Sequence, residues 1–127
     1  QTEDGGLDLT VAGVYEVTEP GRVDFGGGEL DPAETEPHPS QKRDADDDYA
    51  WWHLDAGQYL LEYNESVAAS APADRRLVIQ TRDELRARGA FHPTLRLAEL
   101  DRVPLSVGGA GLRLKENARV STVVGID

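Results

Sequence analysis

The sequence contains no cysteine, and only two of its 13 basic residues are lysines. Without cysteine, neither a disulfide bond nor thiolate chemistry is available. The three histidines, His38, His53 and His92, fall on separate predicted elements with no cysteine beside them, so we expect no zinc site. The apolar runs are far too short to cross a bilayer and nothing resembles a signal peptide. We therefore expect a cytoplasmic protein without a membrane partner.

Positive charge is also scarce, because 24 acidic residues stand against 13 basic ones and the formal net charge is −11. Such a surface repels itself in dilute buffer, but at about 1 M salt the Debye length is only about 3 Å and the repulsion is screened. The acidic, lysine-poor composition therefore indicates a halophilic source. A nucleic-acid duplex needs a basic stripe that neutralises its phosphates, and the arginines form none, so we expect no duplex partner.

Apolar residues alternate with polar ones at a period of two in several segments, which is typical of half-buried strands. Leu7, Leu9 and Val11 show this period, and Gly13 then interrupts it at an expected bulge or turn. The segment 58–63 places Tyr59, Leu61 and Tyr63 on one face in the same way. Both segments are therefore predicted strands.

Short apolar runs separated by Gly, Pro and Asp recur along the whole chain. This spacing predicts about ten short strands and one helix in a single domain over residues 1–127. We expect an all-β fold that closes into a barrel or sandwich, because closure covers the strand edges.

One long stretch, 31–48, has no apolar periodicity, carries three prolines and ends in an acidic block. This composition predicts a solvated, mobile loop. The aspartates of the block could in principle hold a hard cation, although such blocks are more often solubilising surface. They are Asp44, Asp46, Asp47 and Asp48.

The stretch 75–90 carries the one convincing helix start, directly after a buried apolar run at 77–79. Thr81 and Glu84 have the spacing of a capping box, in which the threonine hydroxyl and the glutamate each bind a free backbone amide. Asp83 adds negative charge at the positive end of the helix dipole, and Gly89 is placed to end the helix. The pattern predicts a single helix of under two turns. Helix starts of this kind often bind phosphate, but here two carboxylates occupy the position.

Four segments in a fixed order carry a family resemblance and cover most of the chain. They are GGLDLT at 5–10, GQYLLEYNESV at 57–67, TRDELRARGA at 81–90 and LRLKENARVSTVV at 112–124. Together they resemble the dCTP deaminase and dUTPase superfamily, especially its archaeal deaminase-like members. The resemblance implies a distorted jelly-roll β-barrel of the dUTPase type with one short helix. It also implies a homotrimer with active sites between subunits, so Trp51, Trp52 or Tyr63 is expected to help bury a subunit interface.

The family's phosphate-binding motif differs here in its chemistry. The resemblance places Arg82, Asp83 and Glu84 where the family has an arginine and two serines that bind the nucleotide phosphates. The arginine is retained, whereas both hydroxyls are replaced by carboxylates. Ionised carboxylates cannot donate hydrogen bonds to phosphate oxygens and also repel them. Helix capping and dipole compensation explain the two acids without a catalytic role.

The segment that forms the base and sugar pocket in the family also differs, because 91–102 contains no glycine and is about three residues shorter than the family's hairpin. Glu99 in LAEL resembles a family position whose carboxylate activates water, which needs a positioned acid. Aligned from the closing strand, Ser106 takes that position instead. An exposed strand face is the alternative interpretation of Glu99 and Asp101.

Three functions are therefore open. The favoured one is a non-catalytic homologue that binds a deoxyribonucleotide weakly or serves as a structural or regulatory subunit, without a cofactor. The second is an active dCTP deaminase or dUTP diphosphatase with a remodelled site, in which Asp83 or Glu84 holds Mg²⁺ against the triphosphate. The third is an unrelated binding role on the same scaffold.

Overall fold

The computed structural model describes residues 6–65 and 75–126, and within them the chain is mostly β-structure with one very short helix. The all-β prediction is confirmed. The helix has four residues, so no helix in the described ranges is long enough to cross a membrane. The elements are β1 (Leu7–Glu19), β2 (Glu34–Pro37), β3 (Trp51–Leu54), β4 (Gly57–Tyr63), β5 (Leu77–Thr81), α1 (Asp83–Arg86), β6 (Ala90–Phe91), β7 (Leu95–Leu97), β8 (Val103–Val107), β9 (Leu112–Lys115) and β10 (Arg119–Ile126).

Eight of the strands form one sheet in the order β6-β8-β4-β1-β10-β5-β7, with β2 paired to the far part of β1. All these pairs are antiparallel. The sheet curls strongly into a half-barrel. The other two strands, β3 and β9, pair with each other in a separate two-stranded sheet.

The long strand β1 connects the two sides of the curled sheet. Up to Thr10 it pairs with β10, and from Val11 onwards it pairs with β4. The register shifts between Val11 and Gly13 while the strand continues, so the interruption predicted at Gly13 is a bulge and not a turn. Because a bulge bends a strand and increases its twist, one continuous strand can serve both sides.

The core is filled from alternate positions of the strands of both sheets. Tyr59, Leu61 and Tyr63 are all buried, as the period-two pattern predicts. A core residue of this kind contributes roughly 1.5 to 3 kcal/mol by leaving water. The largest fully buried apolar side chains are Leu9, Val11, Val14, Leu61, Leu77, Ile79, Val103, Leu105 and Val120.

The stretch 31–48 is not a loop throughout, contrary to the prediction from its composition. Glu34–Pro37 forms β2 and pairs with β1. The following His38 lies with its Nδ1 2.7 Å from Oε2 of Glu16 on β1. Further on, the guanidinium of Arg43 stacks 3.9 Å from the ring centre of Trp51. The pairing of β2 uses backbone groups and leaves its side chains largely exposed, so the apolar pattern could not reveal it.

Two of the three aromatic residues predicted at a subunit interface lie inside the subunit. Trp52 is only 5% exposed and Tyr63 only 8% exposed, so neither can bury a surface against another chain. Trp51 is half-buried between Arg43 and Lys115, whose ammonium lies 5.7 Å from its ring. The prediction is therefore wrong for Trp52 and Tyr63, because the alternation that makes them strand residues also points them into the core.

Candidate functional site

The predicted capping box at the start of α1 does not form. The helix cap is Arg82, and no side chain accepts a hydrogen bond at that position. The hydroxyl of Thr81 faces inward, where it accepts from the backbone amide of His92 (2.9 Å) and donates to the His92 carbonyl (2.7 Å). Those two backbone groups are buried and need hydrogen-bond partners. Because the Thr81 hydroxyl binds them, it is not available to cap the helix. Gly89, with φ of 90°, lies in the turn after the helix, as predicted.

Arg82 is the centre of an ion cluster on the outer face of the sheet. Its Nη1 lies 2.5 Å from Oδ2 of Asp8 on β1, and its Nη2 lies 2.6 Å from Oε2 of Glu84 on α1. The side chain of Asp8 is 7% exposed and that of Arg82 is 18% exposed. Both guanidinium ends therefore already contact a carboxylate of the same chain.

The remaining oxygen of Asp8 is also bound. Thr122 on β10 donates its hydroxyl to Oδ1 at 3.0 Å, and Arg119 on the same strand places Nη1 3.6 Å from Oδ2. The cluster thus contains two guanidinium groups and two carboxylates, and its formal charges cancel. No excess positive charge is left to attract a phosphate group.

The electrostatics of Arg82 and Glu84 agree with this geometry. The hydrogen bond that Arg82 donates to Glu84 is the main factor that raises the pKa of the Arg82 guanidinium, and the contacts with Asp8 add to it. The same hydrogen bond is the main factor that lowers the pKa of the Glu84 carboxyl. Each partner thus stabilises the charged form of the other.

Asp83 lies apart from this cluster. Its carboxylate pairs with Arg86 one turn along α1, and both side chains are well exposed. An exposed pair of this kind contributes at most about 1 kcal/mol and is screened by salt. Of the three predicted phosphate-binding residues, the structure therefore joins Arg82 and Glu84 and turns Asp83 towards solvent.

Beside α1 lies a cleft with a volume of about 620 Å³, which is in the range of small-molecule sites. The helix and Arg86 form one wall, and the segment with β6 forms the other, where Phe91 is half-exposed. The lining residues are Gln80, Thr81, Asp83, Arg86, Gly89, Ala90, Phe91, His92 and Thr94.

At the inner end of the cleft, His92 belongs to a buried hydrogen-bond chain. The imidazole Nε2 lies 2.8 Å from the hydroxyl of Ser121, and that hydroxyl lies 2.7 Å from the hydroxyl of Tyr63. The other ring nitrogen, Nδ1, lies 2.7 Å from the carbonyl of Pro93. His92 is 3% exposed and Ser121 is completely buried. These hydrogen-bonded side chains are therefore part of the core, and Ser121 is not accessible as a nucleophile.

Sequence reasoning did not identify Asp8 or this buried chain. Asp8 belongs to a segment used for the family resemblance, but nothing local shows that it meets Arg82. The buried chain has a weaker signal, because Thr81 continues the inward-facing positions after Ile79 and pairs with Ser121 on β10. Two hydroxyls at inward positions of neighbouring strands indicate a buried polar partner.

The predicted catalytic candidate Glu99 is exposed and lies in a bend after β7, not on a strand face. It is not among the residues that line the cleft beside α1. The alternative position, Ser106, lies on β8 opposite Gln58 of β4 and Phe91 of β6. The structure therefore brings neither Glu99 nor Ser106 to Arg82 through any described contact.

In residues 6–65 and 75–126, no group of three or more His, Cys, Asp and Glu side chains is placed to hold a metal ion. In the acidic block, Asp47 instead accepts a hydrogen bond from the backbone amide of Asp44 at 3.0 Å.

Comparison of the sequence with known proteins identifies no relative. No protein-family model matches the chain, and no curated protein is significantly similar to it.

Proposed function

We propose that this protein is a non-catalytic member of the dCTP deaminase and dUTPase superfamily that serves as a structural or regulatory subunit in pyrimidine deoxynucleotide metabolism. The proposal extends the all-β half-barrel to the distorted jelly roll of that superfamily. It rests on the four sequence segments that resemble the family and on one structural observation, which is that Arg82 is bound by Asp8 and Glu84 of its own chain.

The contacts of Arg82 carry the functional part of the proposal. A nucleotide phosphate would have to displace Glu84 and compete with Asp8, whose carboxylate is buried and cannot turn into water. The phosphate would also lie beside Asp83, because that carboxylate follows Arg82 directly. Since the cluster is already neutral, each displaced ion pair leaves a carboxylate without its partner. Deoxyribonucleotide binding is therefore weak, and no cofactor is required.

The subunit belongs to a homotrimer in the cytoplasm of a halophilic organism. Because Trp52 and Tyr63 are in the core, other apolar residues have to form the contact between subunits. Leu7, Val124 and Ile126 are each more than two-fifths exposed. Leu7 pairs with Val123 on β10, and Val124 and Ile126 follow Val123 on that strand. Exposed apolar side chains that lie together on a sheet favour an interaction surface.

An active enzyme with a Mg²⁺-assisted site is the second candidate. One observation favours it, which is the high exposure of the Asp83 and Glu84 side chains, 87% and 61%. Exposed carboxylates can turn towards a hydrated Mg²⁺ that is carried in by a triphosphate. In this case the two acids bind the metal and Arg82 binds the phosphates.

The deciding experiment measures turnover and binding by the wild-type chain at molar KCl. We expect no deamination of dCTP and no release of diphosphate from dUTP, with or without Mg²⁺. Calorimetry should give nucleotide dissociation constants no tighter than about 1 mM. Turnover that requires Mg²⁺ and is lost when Asp83 or Glu84 is neutralised would overturn the proposal in favour of the enzyme.

A variant pair separates the local effect from net charge. Asp83→Ser with Glu84→Ser restores two hydroxyl donors beside Arg82 and should tighten nucleotide binding. Glu34→Ser with Glu36→Ser removes the same charge from the exposed strand β2 and should leave binding unchanged. Equal tightening in both variants would mean that only the overall charge matters, and the specific role of Arg82 would then be wrong.

A further inference from the structure

The segment 90–97, which contains β6 and β7, is held to the sheet by few backbone pairs. β6 pairs with β8 at only two positions, Ala90 with Val107 and Phe91 with Ser106. β7 pairs with β5 at three positions. Between these two short strands His92 is inserted into the core, where its backbone binds Thr81 of β5 and its ring binds Ser121 of β10. These bonds fix the segment together with the buried Ala90.

The hydrogen bonds of His92 allow one arrangement of protons for a neutral ring. The carbonyl of Pro93 can only accept, so Nδ1 carries the ring hydrogen and Nε2 is an acceptor. Ser121 must then donate to Nε2, and Tyr63 must donate to Ser121. In this arrangement the ring hydrogen of His92 and the hydroxyl hydrogens of Ser121 and Tyr63 each have an acceptor. The backbone amide and carbonyl of His92 both form hydrogen bonds with the Thr81 hydroxyl.

A second proton on His92 disrupts this arrangement. Nε2 would then donate to Ser121, and the hydrogen of either Ser121 or Tyr63 would be left without an acceptor among these three side chains. The positive charge would also be buried. The described hydrogen-bond partners of His92, from β5, from β10 and from Pro93, are all uncharged. The charged groups that line the same cleft are Asp83 and Arg86, which are paired with each other.

We propose that His92 is a pH-sensitive anchor, which holds segment 90–97 against β5 and β10 while neutral and releases it when protonated. The segment forms one wall of the cleft beside α1, so its release opens that cleft while the remainder of the sheet stays folded. Burial lowers the pKa of His92, which agrees with a neutral ring in the closed state. This inference stands independently of any nucleotide function.

Hydrogen exchange followed by mass spectrometry tests the anchor at constant molar KCl. Protection of segment 90–97 should be nearly constant from about pH 7.5 to about pH 6.5, and below about pH 6.5 it should fall by up to about tenfold per pH unit, because the open form then takes up one proton. Rates are corrected for the intrinsic pH dependence of exchange. Strands β1 and β4 should keep their protection over the same range.

Two variants show whether the pH response of segment 90–97 depends on His92. His92→Gln keeps a group that can both donate and accept but cannot take up a proton, so segment 90–97 should lose its pH response. His38→Gln changes a histidine on a different face, bound to Glu16, and should respond as the wild type does. An unchanged protection of segment 90–97 in the wild type, or the same pH response in His92→Gln, would overturn the proposal.

Nitrogen NMR of the wild-type histidines covers the case in which His92→Gln does not fold. We expect the Nδ1–H tautomer for His92 at neutral pH, and because burial lowers its pKa, its titration should lie at lower pH than the onset of the loss of protection in segment 90–97. An Nε2–H tautomer would contradict the arrangement of protons, and a titration without any change in segment 90–97 would contradict the anchor.

Discussion

The ion pair between Asp8 and Arg82 should be much stronger than a surface pair on the same chain, and a double-mutant cycle can measure the difference. We consider Asp8→Asn, Arg82→Gln and the double variant. Asparagine keeps the shape of Asp8 and its contact with Thr122 but removes the charge. The cycle cancels the separate contact of Arg82 with Glu84, so the coupling energy reports only the pair of interest.

The magnitude follows from burial. With 7% and 18% of the two side chains exposed, the pair is largely removed from water, and charged hydrogen bonds of this kind contribute about 1.5 to 3 kcal/mol. The matched control is Asp83→Asn with Arg86→Gln, whose side chains are 87% and 59% exposed. That pair should show a coupling of about 0.2 to 1 kcal/mol.

Urea unfolding supplies the free energies, because urea leaves the ionic strength unchanged. At molar KCl the Debye length is about 3 Å, so the surface coupling should shrink further while the coupling of Asp8 with Arg82 persists. Equal couplings for the two pairs, or a coupling of Asp8 with Arg82 that disappears at high salt, would refute the reasoning. It would also remove the observation on which the proposed function rests, because Arg82 would then be free to bind phosphate.

Two further predictions concern the core and the assembly. Burial raises the pKa of Tyr63 to about 12, so its stabilising contribution is complete below about pH 10 and is lost as pH rises from about 10 to 12, by about 3 kcal/mol in total. Urea unfolding of Tyr63→Phe should show a smaller loss over this window, and an identical loss would mean that Tyr63 ionises as an exposed tyrosine does. Light scattering at molar salt should give about three chains per particle. Val124→Asp should dissociate the trimer, because Val124 lies in the proposed contact, whereas a wild-type monomer at all concentrations would exclude the proposed assembly.

The strands could be predicted from the sequence because their signal is local. The alternation at Tyr59, Leu61 and Tyr63 reports which side chains face the core, and that property depends only on neighbouring residues. The interruption of β1 at Gly13 and the short helix after Thr81 were predicted for the same reason. In each case the conformational preference of a few adjacent residues agrees with the final fold.

The choice of hydrogen-bond partner could not be predicted in this way. Thr81 has a normal spacing for a helix cap, but its hydroxyl binds His92, because the fold buries two backbone groups beside it. Strand β2 forms in an acidic stretch because β1 offers an unpaired edge. Both results depend on which strands are neighbours, and composition carries no information on that.

At the candidate site, too, some features could be predicted from the sequence and others depend on the tertiary structure. The sequence by itself determined that an arginine and two carboxylates stand in the segment that resembles a phosphate-binding motif, and that the surface is strongly acidic. Only the tertiary structure decided that Arg82 would be bound by Asp8, because the pairing of β1 with β10 and of β10 with β5 brings these distant residues together. The strength of that contact depends on burial, and burial is a property of the assembled sheet and not of any one segment.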